Sequence, residues 1–288
     1  MEDGEADGTE ATEPLPAWSL DDPGRVASGP LPDWPIAIDR EWAWGSSTGR
    51  GVRVCIVDSG VDGGHPLVGG VADALTVSVD PEGFADVSTD TEGDVSGHGT
   101  ACASVIRSIA PDCEITSMRV LTRGKKGSRG MGVDLLAGIA WAAREGFELI
   151  NLSLATTRRR FLESLYETVD AAYFKRTMIV ASANNMPHPG YPWRFSSVIS
   201  VASHEGTDPL QFFWNPRPPV EAFAPGLDVE VGWLGGETIR ASGNSFATPH
   251  ITGIAALILS KHPGLTPYEL KTIMRATASV PATTEAAA

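Results

Sequence analysis

Val52-Arg53-Val54-Cys55-Ile56-Val57-Asp58-Ser59-Gly60 places five apolar side chains in six positions and then stops at Asp-Ser-Gly. A run this short, rich in β-branched residues and closed by turn formers, reads as a strand over residues 52–57 buried on both faces. The same signature recurs at residues 115–121, 149–154, 178–181 and 198–202. Between these runs the apolar residues fall at helical spacing, predicting helices over residues 98–109, 135–145, 161–174 and 245–261. Alternation of short Val/Ile strands with helices builds a mainly parallel sheet covered by helices on both faces, a single α/β domain. Ligands of such sheets bind at the carboxyl ends of the strands, so Asp58 stands where functional groups are expected.

The 288 residues are 42% hydrophobic, enough for one sizeable core. No stretch approaches the roughly 18 consecutive apolar residues of a membrane span, so no membrane partner is expected. With 22 basic against 36 acidic side chains the formal net charge is −14, which argues against a phosphate-tracking surface and a nucleic-acid partner. The densest basic run, Arg158-Arg159-Arg160, reads as a solvated patch. Three cysteines (Cys55, Cys102 and Cys113) form no CxxC pair, which suggests neither a disulfide framework nor a zinc site. The opening Met-Glu-Asp-Gly-Glu has neither a basic leader nor an apolar core, so a cytoplasmic location is expected.

Composition divides the chain into a Pro-punctuated acidic extension over residues 1–40, a main domain over residues 41–280, and an Ala-rich tail over residues 281–288 expected to be disordered. The extension holds ten acidic and two basic residues, so eight of the fourteen net negative charges belong to it.

Three strand-end or helix-start positions carry the residue types of nucleophilic acyl transfer: Asp58 in Asp58-Ser59-Gly60, His98 in Gly97-His98-Gly99-Thr100, and Ser245 in Gly243-Asn244-Ser245-Phe246-Ala247-Thr248-Pro249-His250. A serine hydroxyl is a weak nucleophile without a base in reach, and the base needs a carboxylate to fix its tautomer. Taken singly, Asp58 serves equally well as a turn cap, His98 as a core histidine and Ser245 as an N-cap. Together, in the order Asp, His, Ser, they match one of the known arrangements of this chemistry.

Over roughly residues 40–278 the chain resembles the subtilisin-like serine peptidases, the subtilases. The three motifs carry the resemblance, supported by Gly49-Arg50-Gly51-Val52, His65-Pro66, Arg119-Val120-Leu121, Ile150-Asn151-Leu152-Ser153-Leu154, Tyr191-Pro192 and Ala224-Pro225-Gly226. It implies a subtilisin-like three-layer α/β fold and a serine endopeptidase with Ser245 as nucleophile, His98 as general base and then acid, and Asp58 as the orienting carboxylate. It implies an oxyanion donor from the amide of Asn185, with Asn184 as the neighbouring alternative, and a second donor in the Ser245 N–H. A peptide or protein substrate would add as a strand between two edges, Gly127-Ser128-Arg129-Gly130 and Ser153-Leu154-Ala155. Ala181, Ser182 and Gly190 would floor the pocket for the residue before the scissile bond, with Met186 near its rim. No charge lines that pocket in this reading, which predicts an apolar or bulky residue there. Arg129 would favour acidic residues further upstream.

The sequence departs from the family at Asn244, where Thr is usual, at Phe246, where Met is usual, at Ala101 and at Ala155. The Asn244 amide would either support the oxyanion or crowd the site. Cys102, one turn after His98, reads as a small buried filler beneath the imidazole. No cofactor is required. Asp80, Asp86, Asp90 and Asp94 form a carboxylate-rich loop without dedicated calcium spacing, read as solvated, so calcium is compatible with the sequence but not implied by it. The extension would act as a short inhibitory propeptide across the cleft. Two alternatives stay open: a processing peptidase dedicated to one precursor or modified-peptide leader, and a peptide-binding module disabled by Asn244 and Phe246.

Overall fold

The computed structural model describes residues 34, 35, 37–124, 127–130 and 132–280. The expectations for the N-terminal extension as inhibitor and for the tail over residues 281–288 lie outside the described residues. The chain divides into two units, Met1–Ala37 and Ile38–Ala288, and the sheet, its helices and the candidate site all belong to the second.

Its strands are β1 (Arg53–Asp58), β2 (Asp73–Val79), β3 (Ala85–Thr89), β4 (Glu114–Arg119), β5 (Leu121–Gly124), β6 (Gly127–Gly130), β7 (Leu149–Leu152), β8 (Met178–Ser182), β9 (Val198–His204), β10 (Phe213–Trp214), β11 (Ala222–Pro225), β12 (Val229–Gly232) and β13 (Thr238–Ala241). The helices are α1 (Arg40–Ala43), α2 (His98–Ile109), α3 (Gly132–Arg144), α4 (Leu162–Phe174), α5 (Asn244–Lys261) and α6 (Pro267–Thr277). Among the described residues nine strands form one sheet in the order β10-β11-β9-β8-β7-β1-β4-β2-β3. The pairs from β11 through to β2 are parallel, and only the outermost pairs, β10/β11 and β2/β3, are antiparallel.

The central position of β1 follows from its composition. All of its residues but Arg53 are buried, and Cys55 sits between Thr116 of β4 and Ile150 of β7. Side chains alternate across the sheet. Cys55 and Val57 join Leu135 and Ile139 of α3 and Leu165 and Val169 of α4 in one core cluster. Val54, Ile56 and Asp58 therefore face the opposite layer, made by α2 and α5, so strand alternation sends the Asp58 carboxylate toward the helix that begins with His98.

Helix α5 is apolar all round because it lies between the sheet and α2, with every residue from Phe246 to Leu259 buried. Two glycines permit the close approach. A Cβ on Gly253 would lie 2.8 Å from the Ile109 Cβ, and one on Gly99 would lie 1.9 Å from the Gly60 carbonyl oxygen. The first turn of α2 thus rests directly on the backbone that follows β1, and the clash partner is main chain that cannot swing aside. Gly99→Ala is expected to cost about 3 kcal/mol and to lower activity by part of the roughly hundredfold that a 1 Å displacement of catalytic groups can cost. An unchanged denaturation midpoint and unchanged turnover in this variant would refute so tight a contact.

Several elements differ from the sequence expectation. The strand expected over residues 115–121 ends at Arg119, whose buried guanidinium turns to the Asp90 carboxylate (2.9 Å) and the Leu121 carbonyl (3.1 Å). Leu121 instead opens the β5/β6 hairpin, in which Thr122 faces Arg129 and Arg123 faces Ser128. Strands β2 and β3 occupy part of the segment expected to be a solvated acidic loop. Asp80 and Asp86 are exposed, but Asp90 and Asp94 are buried, 9% and 7% exposed, which corrects that reading. Helix α6 is closed at its start by a capping box between Thr266 and Glu269, with Pro267 in its first turn. No helix among the described residues is long and apolar enough to cross a membrane.

Candidate active site

Asp58, at the carboxyl end of β1, is completely buried. Its Oδ1 accepts the Ser59 N–H (2.7 Å), and both carboxylate oxygens lie against Nδ1 of His98, at 2.8 and 2.9 Å. A carboxylate in that position assigns the proton to Nδ1 and leaves Nε2 with its lone pair free to accept one.

His98 is the first residue of α2, where backbone N–H groups lack intrahelical acceptors. Asp94 supplies them. Its Oδ1 accepts from Ser96 N (2.9 Å), Gly97 N (2.8 Å) and Ser59 Oγ (2.7 Å), and its Oδ2 from Thr100 N (2.9 Å) and Thr100 Oγ1 (2.6 Å). The Ser59 hydroxyl in turn accepts Gly99 N–H at 3.0 Å. A single buried carboxylate thus ties the start of α2 to the end of β1 and fixes the imidazole over Asp58.

Burial pulls the His98 pKa down, but the charge and hydrogen bond of Asp58, with Asp94 further out, outweigh it and leave the value raised above the ordinary 6.5. An imidazole serves as general base only when neutral, so activity is expected to fall with decreasing pH through a midpoint above 6.5. A pH profile of kcat/KM with its acid limb below that value would contradict this.

Ser245 lies in the first turn of α5. Pro249, four residues later, has no N–H, so the Ser245 carbonyl has no helical donor. Two side chains take its place: Ser153 Oγ at 3.0 Å and Cys102 Sγ at 3.7 Å. The Ser245 hydroxyl donates to the Ser153 carbonyl at 3.5 Å, a long contact easily exchanged. Burial, the Asp58 charge and Asp94 push the Cys102 thiol well above its ordinary pKa, net of opposing hydrogen bonds from Ser153 and Asn151, so it remains a neutral filler. Asp58, His98 and Cys102 bring one ligand atom each within 4.8 Å of one another, the one such trio among the described residues. Within the trio the carboxylate and the imidazole bond each other, while the Cys102 thiol turns to Ser153 and the Ser245 carbonyl.

The expected edge at Gly127–Gly130 forms β6, while the expected residues nearer the nucleophile separate into those lining the Ser245 cleft and those buried away from it. A cleft of about 290 Å³ is lined by Ser245, Ser153, Leu154, Ala155, Ser182 and both Asn184 and Asn185, with Met186 also on its wall. Ala181 is fully buried in the core cluster, and Gly190 is buried against the Asn184 side chain, where a Cβ would come within 2.5 Å of the amide nitrogen. Asn184 and Asn185 differ clearly. Asn184 Nδ2 donates to the His188 carbonyl (2.8 Å), whereas Asn185 Oδ1 accepts the Asn244 N–H (2.9 Å) next to the nucleophile. With its oxygen engaged, the Asn185 amide keeps its nitrogen for other partners.

The Asn244 side chain does not itself line the cleft. Its Oδ1 accepts from Ser203 N (2.9 Å) and Oγ (3.0 Å), and its Nδ2 donates to the carbonyls of Ala183 (3.2 Å) and Asn184 (3.3 Å), tying the ends of β8 and β9 to the start of α5. The Phe246 ring packs 5.7 Å from the His98 ring. His250 is buried, with Nδ1 donating to the Phe246 carbonyl (2.8 Å), and burial lowers its pKa to about 4. A second cleft of about 300 Å³ shares Leu154 and Ala155 with the first and is also lined by Leu121 of β5, Arg158 and Arg160. Those arginines are exposed, as a solvated patch would be, but no local pattern around them signals that they border the cleft.

A carboxylate–imidazole pair thus stands at the carboxyl end of a central parallel strand, near a serine in the first turn of a buried helix. A sequence profile of the subtilase family matches residues 49–287, and the chain belongs to that family. It is 30% identical to the thermostable alkaline protease of Halalkalibacterium halodurans over 80% of this chain, and it spans 63% of that relative's length. It is 31% identical to thermitase of Thermoactinomyces vulgaris, over 79% of this chain and 81% of that one. Among solved structures, a cold-adapted subtilisin-like serine proteinase superposes with a TM-score of 0.64 at 28% identity, covering 83% of this chain and 86% of the other. The central sheet with its helical layers is the fold that these neighbours share.

Proposed function

We propose that the chain is a serine endopeptidase hydrolysing peptide bonds of peptide or protein substrates through Asp58, His98 and Ser245. The observation that carries this reading is the buried Asp58 carboxylate holding His98 Nδ1 with both oxygens, within 2.9 Å, beside the turn that presents Ser245. The Ser245 hydroxyl leaves its long contact with Ser153 and gives its proton to His98 Nε2 as Oγ attacks the substrate carbonyl. Charge developing on the carbonyl oxygen is met by Asn185 Nδ2, whose orientation is supported by the Asn244 N–H on its oxygen, and by the free Ser245 N–H at the start of α5. The imidazolium returns the proton to the leaving amine. Water, activated by the same imidazole, then hydrolyses the acyl-enzyme.

The substrate lies extended between β6 and Ser153-Leu154-Ala155, its main chain supplying most of the affinity. A fluorophosphonate probe tests the reading: it is expected to label the wild type on Ser245 and to leave Ser245→Ala unlabelled. Absence of label from the folded wild type would favour a peptide-binding module.

A further inference from the structure

The segment after Ser153-Leu154-Ala155 sends three consecutive arginines to the clefts around the nucleophile. Arg158 and Arg160 line the 300 Å³ cleft whose floor includes the buried side chains of Val120, Leu135 and Phe161. Arg159, with Arg194, lines a further hollow of about 590 Å³. Both spaces share walls with the Ser245 cleft, the first at Leu154 and Ala155 and the second at Thr157 and His188. One carboxylate, Glu163, shares a third hollow with Arg159 and Arg160. Among the described residues, no ion pair within 4.0 Å involves any of these four arginines. The Arg160 guanidinium lies over the Phe161 ring at 4.7 Å, a contact that holds the planar group while leaving its N–H edges free.

We propose that the cleft lined by Arg158 and Arg160 selects substrates with an acidic side chain upstream of the scissile bond, so that the substrate class is an acidic peptide segment; this rests on the peptidase reading above. A glutamate fits it best. Its methylene stem lies along Val120 and Phe161 while its carboxylate reaches the guanidiniums at the rim. With a net charge of −14 the chain as a whole repels acidic ligands, so the selection is made at short range by these groups.

Two fluorescent peptides that differ only in carrying Glu or Gln upstream of the cleavable bond test this, with binding measured on full-length Ser245→Ala and hydrolysis on the wild type. The Glu peptide is expected to bind Ser245→Ala about tenfold more tightly at low salt. The advantage should shrink toward unity at about 0.5 M salt and vanish when Arg158→Gln and Arg160→Gln are added. Equal binding of the two peptides, no binding of either, or a preference untouched by the double substitution overturns the proposal. Binding is read without the nucleophile, so a Glu preference accompanied by no hydrolysis in the wild type supports the acidic site and counts against the peptidase reading alone.

Discussion

Ser245→Ala is expected to abolish peptide hydrolysis, lowering kcat by roughly a millionfold, the size of triad deletions in subtilisin, while the denaturation midpoint barely moves. The two effects are decoupled because of where the hydroxyl sits. It donates to the Ser153 carbonyl at 3.5 Å, too long to contribute much to stability. The contacts that hold the turn do not use that hydroxyl: the Ser245 carbonyl accepts from Ser153 Oγ and Cys102 Sγ, the Asn244 N–H donates to Asn185 Oδ1, and the Asn244 side chain spans the ends of β8 and β9. All of these survive the substitution. Stopped assays with a chromogenic peptide, together with chemical denaturation, measure both quantities. Retention of more than about one per cent of wild-type turnover would remove Ser245 from the nucleophile's role.

Asp94→Ala is expected to be the most damaging change that touches no reacting atom. It strips acceptors from three backbone N–H groups and two hydroxyls in a buried setting, a loss of about 3–5 kcal/mol. It also removes a negative charge that helps raise the His98 pKa, so the acid limb of kcat/KM should move to lower pH in whatever fraction remains folded. The second effect separates Asp94 from an ordinary structural residue. Asp94→Asn keeps the size and one acceptor oxygen, so it should fold better than the alanine variant while showing the same direction of shift. A normal midpoint in Asp94→Ala, or an unmoved acid limb in Asp94→Asn, would contradict the role given to this carboxylate in holding α2.

The legible parts of the sequence were those whose structure follows from continuous burial. Strand β1 and helix α2 lie within a residue of where their apolar runs put them, and α5, apolar on every face, lies where only a fully buried helix could. Strands β2 and β3 escaped because they sit at the sheet edge, where β3 is almost wholly exposed and neither presents an unbroken apolar run. The acidic residues beside them were obscured for a related reason. Burial of Asp90 and Asp94 depends on partners outside their own segment, Arg119 for one and the start of α2 for the other, and no local pattern announces either. The candidate triad was legible through its order and its family resemblance, whereas the work of Asn244 was not. An asparagine before a nucleophile suggests an oxyanion donor, and only the positions of Ser203, Ala183 and Asn184 show it bracing two strand ends instead. Helix α6 had its signals in Thr266, Pro267 and Glu269, a capping box recognisable without any tertiary information.

Pro249 leaves the carbonyl of Ser245 to be held by Ser153 from the end of β7 and Cys102 from α2, three chain segments separated by up to 143 positions. The geometry of this turn is therefore not a local property of α5 and cannot exist in a nascent or partly folded chain. The arrangement around Ser245 therefore closes only once the amino-terminal, middle and carboxyl-terminal thirds of the domain have met. Until then the serine is one more hydroxyl at a helix end.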